Sequence, residues 1–164
     1  MKKLSLIICA LTAFFFVSCQ QGNPKDKNGD TPKDVVEKMY QSVKAKDFDV
    51  AVSYNKIPDT IKMKLMDEKN VYQEFQNNAK DKDGNVIILG EEWKTFVIEQ
   101  MKGQSSSSKY SLDNWEIVSE EISKTDPNSA KVKTKIQIIT QNGKSEAECS
   151  FPLKRENGVW LIIG

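Results

Sequence analysis

Any chemistry in this chain has to be done without histidine. None of its 164 residues is a His, which excludes Ser-His-Asp and Cys-His nucleophile activation and the usual zinc sites. Thiols, carboxylates, lysines and aromatic rings remain. Of the three cysteines, Cys9 and Cys19 lie near the start and Cys149 stands alone in the C-terminal half. Asp81, Asp83 and Gly84 in "KDKDGN" have the spacing of part of a calcium loop. With Gly84 at the sixth position of an EF-hand frame, however, Ala79 and Gly90 take the two terminal ligand positions, and neither carries a carboxylate. The stretch therefore reads as a turn, and no metal site or cofactor is expected.

The other polar residues fall into a pattern. Lys131, Lys133 and Lys135 alternate along one segment, with Glu146 and Glu148 in the next. This reads as a solvated strand face with cross-strand charge neighbours. Tyr40, Tyr54, Trp93, Trp115, Phe151 and Trp160 can fill a core or line an apolar pocket. Tyr54, Trp93, Trp115 and Trp160 are the candidate ligand-contacting residues. No catalytic residue is assigned.

The elements that must position these residues follow from periodicity. In "TPKDVVEKMYQSV", Thr31 is a good N-cap, Pro32 suits the first helical position and Asp34 the first turn. Val35, Val36, Met39, Tyr40 and Val43 recur at helical spacing. A turn at "KAKD" leads to a short helix, "FDVAVSYN", ending near Pro58. Residues 59–75 are expected to be helical, burying Ile61, Leu65, Met66 and Tyr72. "GEEWKTFVIEQMKG" is a helix with Trp93, Phe96, Val97 and Met101 on one face, ended by Lys102 and Gly103, and "QSSSS" is a loop.

After residue 109 the period becomes two, and two Asn-Gly pairs mark hairpin turns. With Asn142-Gly143 as a turn centre, Val132, Thr134, Ile136 and Ile138 face Leu153, Phe151, Cys149 and Ala147. Cys149 then sits beside Ile136 as a small hydrophobe. With Asn157-Gly158 as the next centre, Arg155 pairs with Trp160 and Leu153 with Ile162. A first strand over residues 110–123 completes a four-stranded antiparallel meander.

The start of the chain carries Lys2 and Lys3, an apolar run over residues 4–17, then Ser18 and Cys19. That is the layout of a secretory signal, too short to span a bilayer as a helix. "VSC" resembles the lipobox of bacterial lipoproteins. The resemblance implies that residues 1–18 are a signal peptide and that Cys19 carries a diacylglyceryl group and an acylated amine, palmitate being the expected chain. Several acyl chains anchor a protein stably where one does not. Gln20 stands where lipoproteins retained at the inner membrane tend to have Asp, which implies the outer membrane, the domain facing either side.

Residues 19–30, polar and rich in Gly, Asn and Asp, are expected to be a flexible tether, leaving 31–164 as one domain. Shedding Lys2 and Lys3 takes 24 basic residues to 22 against 23 acidic ones. Near-neutrality argues against nucleic acid and against a polybasic membrane patch. With Cys9 removed and Cys19 lipidated, no internal disulfide is available.

Helices followed by a meander ending in "ENGVW" resemble the nuclear transport factor 2-like (cystatin-like) fold, and more narrowly small bacterial lipoproteins that carry it. The residues concerned are Pro32, Val35, Val36, Tyr40, Val43, Asp47, Phe48 and Ala51, then Ala130, Val132, Gly143, Phe151, Leu153, Lys154, Asn157, Gly158 and Trp160. The resemblance implies an α+β cone. It leaves function open, because the fold serves isomerases, dehydratases and binding modules alike.

Three readings follow. One is a non-catalytic, lipid-anchored envelope module holding a small apolar ligand or an envelope protein. A second is an isomerase- or dehydratase-like enzyme using a pocket carboxylate, for which Glu120 and Glu116 are the candidates. The third is a purely structural envelope lipoprotein. The final strand, "VWLIIG", is apolar on both faces. It implies cover from elsewhere in the chain or a homodimer through the outer sheet face, burying Leu161 and Ile163 with Ile139 in the patch.

Overall fold

The computed structural model describes residues 23–64, 73–106, 110–140 and 143–163. Cys19 and the signal region lie outside the described residues, as do Leu65, Met66 and Tyr72. Helix α1 (Pro32–Lys44) opens with a capping box: Asp34 N donates to Thr31 Oγ1 at 3.3 Å, and Thr31 N donates to Asp34 Oδ2 at 2.8 Å. Two orphan amides are thereby satisfied at the first turn. Val35, Val36, Met39 and Tyr40 form the buried face. Helix α2 (Phe48–Ser53) starts at Asp47, whose carboxylate accepts from Val50 N.

The described part of residues 59–75, namely 59–64 and 73–75, departs from the expected helix. Thr60–Met63 is strand β1, paired antiparallel with β2 (Val86–Leu89), Ile61 opposite Ile88 and Met63 opposite Val86. The β-branched run in β2 buries Val86 and Ile88 completely and supplies a partner that a local helical pattern in residues 59–63 cannot outweigh. A 3₁₀ turn (Gln73–Phe75) brings Phe75 edge-on to Phe96, ring centroids 5.2 Å apart. Helix α3 (Gly90–Ser106) follows β2 directly and runs past Gly103, the expected terminus.

The meander is as expected in order and direction: β3 (Tyr110–Ile122), β4 (Ser129–Thr140), β5 (Gly143–Glu156) and β6 (Val159–Ile162), all antiparallel. The last hairpin matches residue for residue, Arg155 opposite Trp160 and Leu153 opposite Ile162. Asn157 and Gly158 both have positive φ, 49° and 78°, as a type I′ turn requires. The β4–β5 register is two residues away from the expected one. Thr140 pairs with Gly143, so Val132 faces Phe151 and Thr134 faces Cys149. A shift of two keeps every side chain on its face, but Cys149 sits beside Thr134 rather than Ile136. Register breaks at Leu112/Asn114 and Ile117/Ser119 mark bulges in β3, which bend the strand.

Residues 24–30, expected as part of a tether, are docked on the domain. Lys27 N donates to Gly158 O at 2.8 Å, and the Trp160 indole N–H donates to Pro24 O at 3.0 Å. Asp26 is buried; one carboxylate oxygen accepts from Asn28 N and Asp30 N, the other from Trp160 N. The polar composition of the stretch is spent on backbone bonds, and β6 gains cover along its open edge.

Among the described residues three apolar clusters result. The largest packs α1 on the meander, with Val35, Val36, Met39 and Tyr40 against Val132, Leu153, Trp160 and Ile162. A second joins β1 and β2 to α3 through Val86, Ile88, Phe75 and Phe96. The third holds α2 to α3 through Phe48, Val52 and Ile98.

Candidate ligand-binding site

A cavity of about 480 Å³ lies where the three clusters meet. Met39 and Val43 reach it from α1, Ala51 and Val52 from α2, Ile61 from β1, Trp93, Val97 and Met101 from α3, and Ile162 from β6. Residues 55–58 form the remaining wall. Each contributing helix face follows the 3.6-residue period, so the sequence makes the faces apolar; the element arrangement leaves the gap between them. The volume is in the range of small-molecule sites.

The wall at 55–58 is held from both sides. Ile162 N donates to Tyr54 O at 2.9 Å and Lys56 N donates to Ile162 O at 2.8 Å, so this segment meets β6 in a single parallel bridge, Asn55 opposite Ile162. On the other side Gly90 N donates to Asp59 O at 2.8 Å. Gly90 is required there, because a Cβ would fall 2.4 Å from the Pro58 carbonyl oxygen.

The lining has few polar groups. The Asn55 amide donates back to Ala51 O at 3.2 Å, and the Lys56 ammonium pairs with Glu156 at 2.6 Å. Among the described residues no carboxylate lines the cavity. Such a lining favours apolar matter. Beside the cavity, between α1 and β4, the Tyr40 and Thr134 hydroxyls are 2.9 Å apart. Burial pushes the Tyr40 phenol up to about 12, with the Thr134 hydrogen bond pulling the other way. The Tyr40 ring stacks on Trp115 and meets Phe151 edge-on, both at 5.7 Å. This group belongs to the core.

Of the four candidate aromatics, Trp93 alone lines the cavity. Tyr54 packs partly buried against the main core. Trp115 lies against Tyr40 under the Lys44 ammonium, 5.6 Å from its ring centre. Trp160 is wholly buried and tied to Pro24.

The candidate acids are elsewhere. Glu120 accepts from Lys33 N at 2.8 Å and from the Asn23 amide, holding the start of α1. Glu116 is exposed opposite Lys135. Cys149 is half-buried near Tyr40. In "KDKDGN" the Asp81 carboxylate accepts from the Asn85 side chain and backbone and from Asp83 N, and pairs with Lys62. The Asn85 bonds lead in holding its pKa down at about 2. Lys133 and Lys135 approach Glu121 and Glu148 only at 4.0 Å, exposed contacts worth little. Sequence reasoning missed Ile57 as a wall residue and took Met39, Val43, Val97 and Met101 for plain core. Two adaptable methionines on facing helices are the one signal that could have marked the gap.

No protein-family model and no curated protein matches the chain. Solved structures do. The β subunit of benzoate 1,2-dioxygenase from Burkholderia mallei is 9% identical, with 85% of this chain and 87% of that one covered at a TM-score of 0.50. A nuclear transport factor 2-like protein of unknown function from Shewanella oneidensis is 8% identical over 79% and 89%, TM-score 0.45. An LEH-like epoxide hydrolase from M. tuberculosis is 11% identical over 80% and 75%, TM-score 0.44. At such identities the likeness concerns the fold alone. The chain has an α+β, nuclear transport factor 2-like fold, with helices packed on a curved four-stranded antiparallel meander.

Proposed function

We propose that this chain is a lipid-anchored module of the cell envelope, carried on the outer membrane by Cys19, that holds a small, mainly apolar ligand and does no chemistry on it. The observation that carries the reading is the cavity of about 480 Å³, walled by Met39, Val43, Ile61, Trp93, Val97 and Met101 with no carboxylate among the described lining residues. An isomerase-like reading needs an acid there, but Glu116 is exposed on β3 and Glu120 holds the start of α1. A purely structural reading has no use for the gap.

The test is mass spectrometry of small molecules extracted from the mature protein purified out of native envelope, beside a Val97→Phe variant that fills the cavity. An apolar compound enriched with the wild type and depleted in the variant supports the proposal. Equal, non-stoichiometric lipid in both overturns it. The anchor is tested by Cys19→Ser, which should abolish fatty-acid incorporation and leave an unprocessed precursor; normal maturation of that variant removes the anchor.

A homodimer through the outer sheet face belongs to the same proposal. Leu161 and Ile163 are half-buried in a single chain, so a second copy would complete their cover; Ile139, 42% exposed, lies ten residues along β4 from Ser129, the position level with Leu161, and does not join that patch. Light scattering should give twice the chain mass for wild type and one chain for Leu161→Lys. A monomeric wild type ends that part.

A further inference from the structure

The segment that leaves the domain towards Cys19 does so from one defined pole. Pro24 is held by the Trp160 indole, Lys25 O accepts from Arg155 Nη1 at 3.4 Å, Lys27 N is bonded to Gly158 O, and Glu120 holds Lys33 N. The pole thus combines residues 24–30, the β5–β6 turn, the start of α1 and the adjoining β3–β4 connection, where Arg155 Nε and Nη2 donate to Asn128 Oδ1.

Charge at this pole is segregated although the chain as a whole is near neutral. Lys25, Lys27, Lys33, Lys124 and Lys154 are exposed, and none has an ion pair among the described residues. The acids near them are held by hydrogen bonds or an ion pair. Asp26 is buried on three backbone amides, Asp126 accepts from Ser129 Oγ and Asn128 N, and Glu120 caps the start of α1. Asp30 pairs with Lys38 at 2.6 Å. These carboxylates keep their charge, but the five lysines with Arg155 outnumber Asp26, Asp34, Glu120 and Asp126, so the pole is net basic.

We infer that this pole is a membrane-apposed face, whose lysine collar lies against anionic phospholipid headgroups. The inference rests on the lipid-anchor reading above. Four residues lie between Cys19 and Pro24, five Cα–Cα steps that span at most about 18 Å when fully extended. Because residues 24–30 are docked and not free, that short span is the whole leash. A lipid on Cys19 brings Lys25, Lys27 and Lys33 to the headgroup layer, where lysine attraction acts over about one Debye length. The cavity lies further along α1: Met39 and Val43 are about 9 and 15 Å beyond Lys33 at the helical rise. The domain would thus stand on this pole with its cavity held off the surface.

The test uses the mature lipidated protein reconstituted in phosphatidylethanolamine vesicles with or without phosphatidylglycerol. A fluorophore is placed on Asn28→Cys at the pole or on Lys82→Cys in the turn before β2, each in a Cys149→Ser background, with a headgroup-bound quencher in the bilayer. Quenching is expected at position 28, stronger with phosphatidylglycerol and reversed by salt, and not at position 82. Each lysine near an anionic surface contributes roughly fivefold. Lys25→Gln/Lys27→Gln/Lys33→Gln should therefore shift the balance between apposed and free pole by about a hundredfold. Equal quenching at both positions, or quenching indifferent to phosphatidylglycerol and to the triple variant, overturns the placement while leaving the anchor. Absence of acyl mass in the purified protein overturns the anchor and the placement with it.

Discussion

The hydroxyls of Tyr40 on α1 and Thr134 on β4 lie 2.9 Å apart in the buried seam between helix and sheet. Neither group has bulk water to fall back on, so Tyr40→Phe leaves the Thr134 hydroxyl without this partner. A loss of about 1–2 kcal/mol is expected in urea unfolding at neutral pH. The pH dependence has a definite sign. The unfolded phenol ionises near 10 and the folded one at about 12. The folded state therefore holds the proton more tightly. This contribution is complete below pH 10 and is lost as pH rises through 12, by roughly 3 kcal/mol at most. The wild type should lose stability over that window more steeply than Tyr40→Phe. Parallel curves would show that Tyr40 does not couple to folding.

Gly90 and Pro58 set the cavity wall. A Cβ on Gly90 would sit 2.4 Å from the Pro58 carbonyl oxygen, which is backbone and cannot swing aside. Gly90→Ala should cost about 1–3 kcal/mol, as overpacking does, and should displace residues 55–58. Thermal unfolding reads the first effect. Nuclear magnetic resonance shifts at Asn55 and Lys56 read the second. An unchanged Tm with unchanged shifts would contradict the close contact.

Docking of residues 24–30 makes a proteolytic prediction. Lys25 and Lys27 are trypsin sites in a stretch whose composition reads as free chain, yet its backbone is bonded to Trp160 and Gly158. Cleavage after either lysine should be slow in the wild type. It should be faster in Asp26→Ala, which strands three amides at a cost of about 1–3 kcal/mol. Equally rapid cleavage in both proteins would restore the tether.

These cases show what a sequence can carry. The Asn157-Gly158 hairpin was legible because both turn residues need positive φ and Arg155–Trp160 pairing follows from them alone. At Asn142-Gly143 the same motif gave the right faces with a register two residues off, since alternation cannot distinguish even shifts. Residues 60–63 could not be read locally, because their strand exists through pairing with Val86–Leu89. Residues 24–30 are fastened to Gly158 and Trp160, more than 130 residues away. The cavity was the least legible feature. Met39, Val97 and Met101 have the spacing of core residues, and only the placement of three helices and β1 shows that they fail to meet.

The central claim is that this gap takes an apolar ligand, and Trp93 offers a direct reading. The purified protein is titrated with N-phenyl-1-naphthylamine while energy transfer from tryptophan to the probe is followed. Saturable binding is expected, with transfer largely lost in Trp93→Phe but retained in Trp115→Phe, because Trp93 lines the cavity and Trp115 packs on Tyr40 outside it. Val97→Phe should abolish binding while leaving the circular dichroism of the fold unchanged. Non-saturable uptake, or transfer indifferent to Trp93→Phe and to Val97→Phe, would contradict the claim.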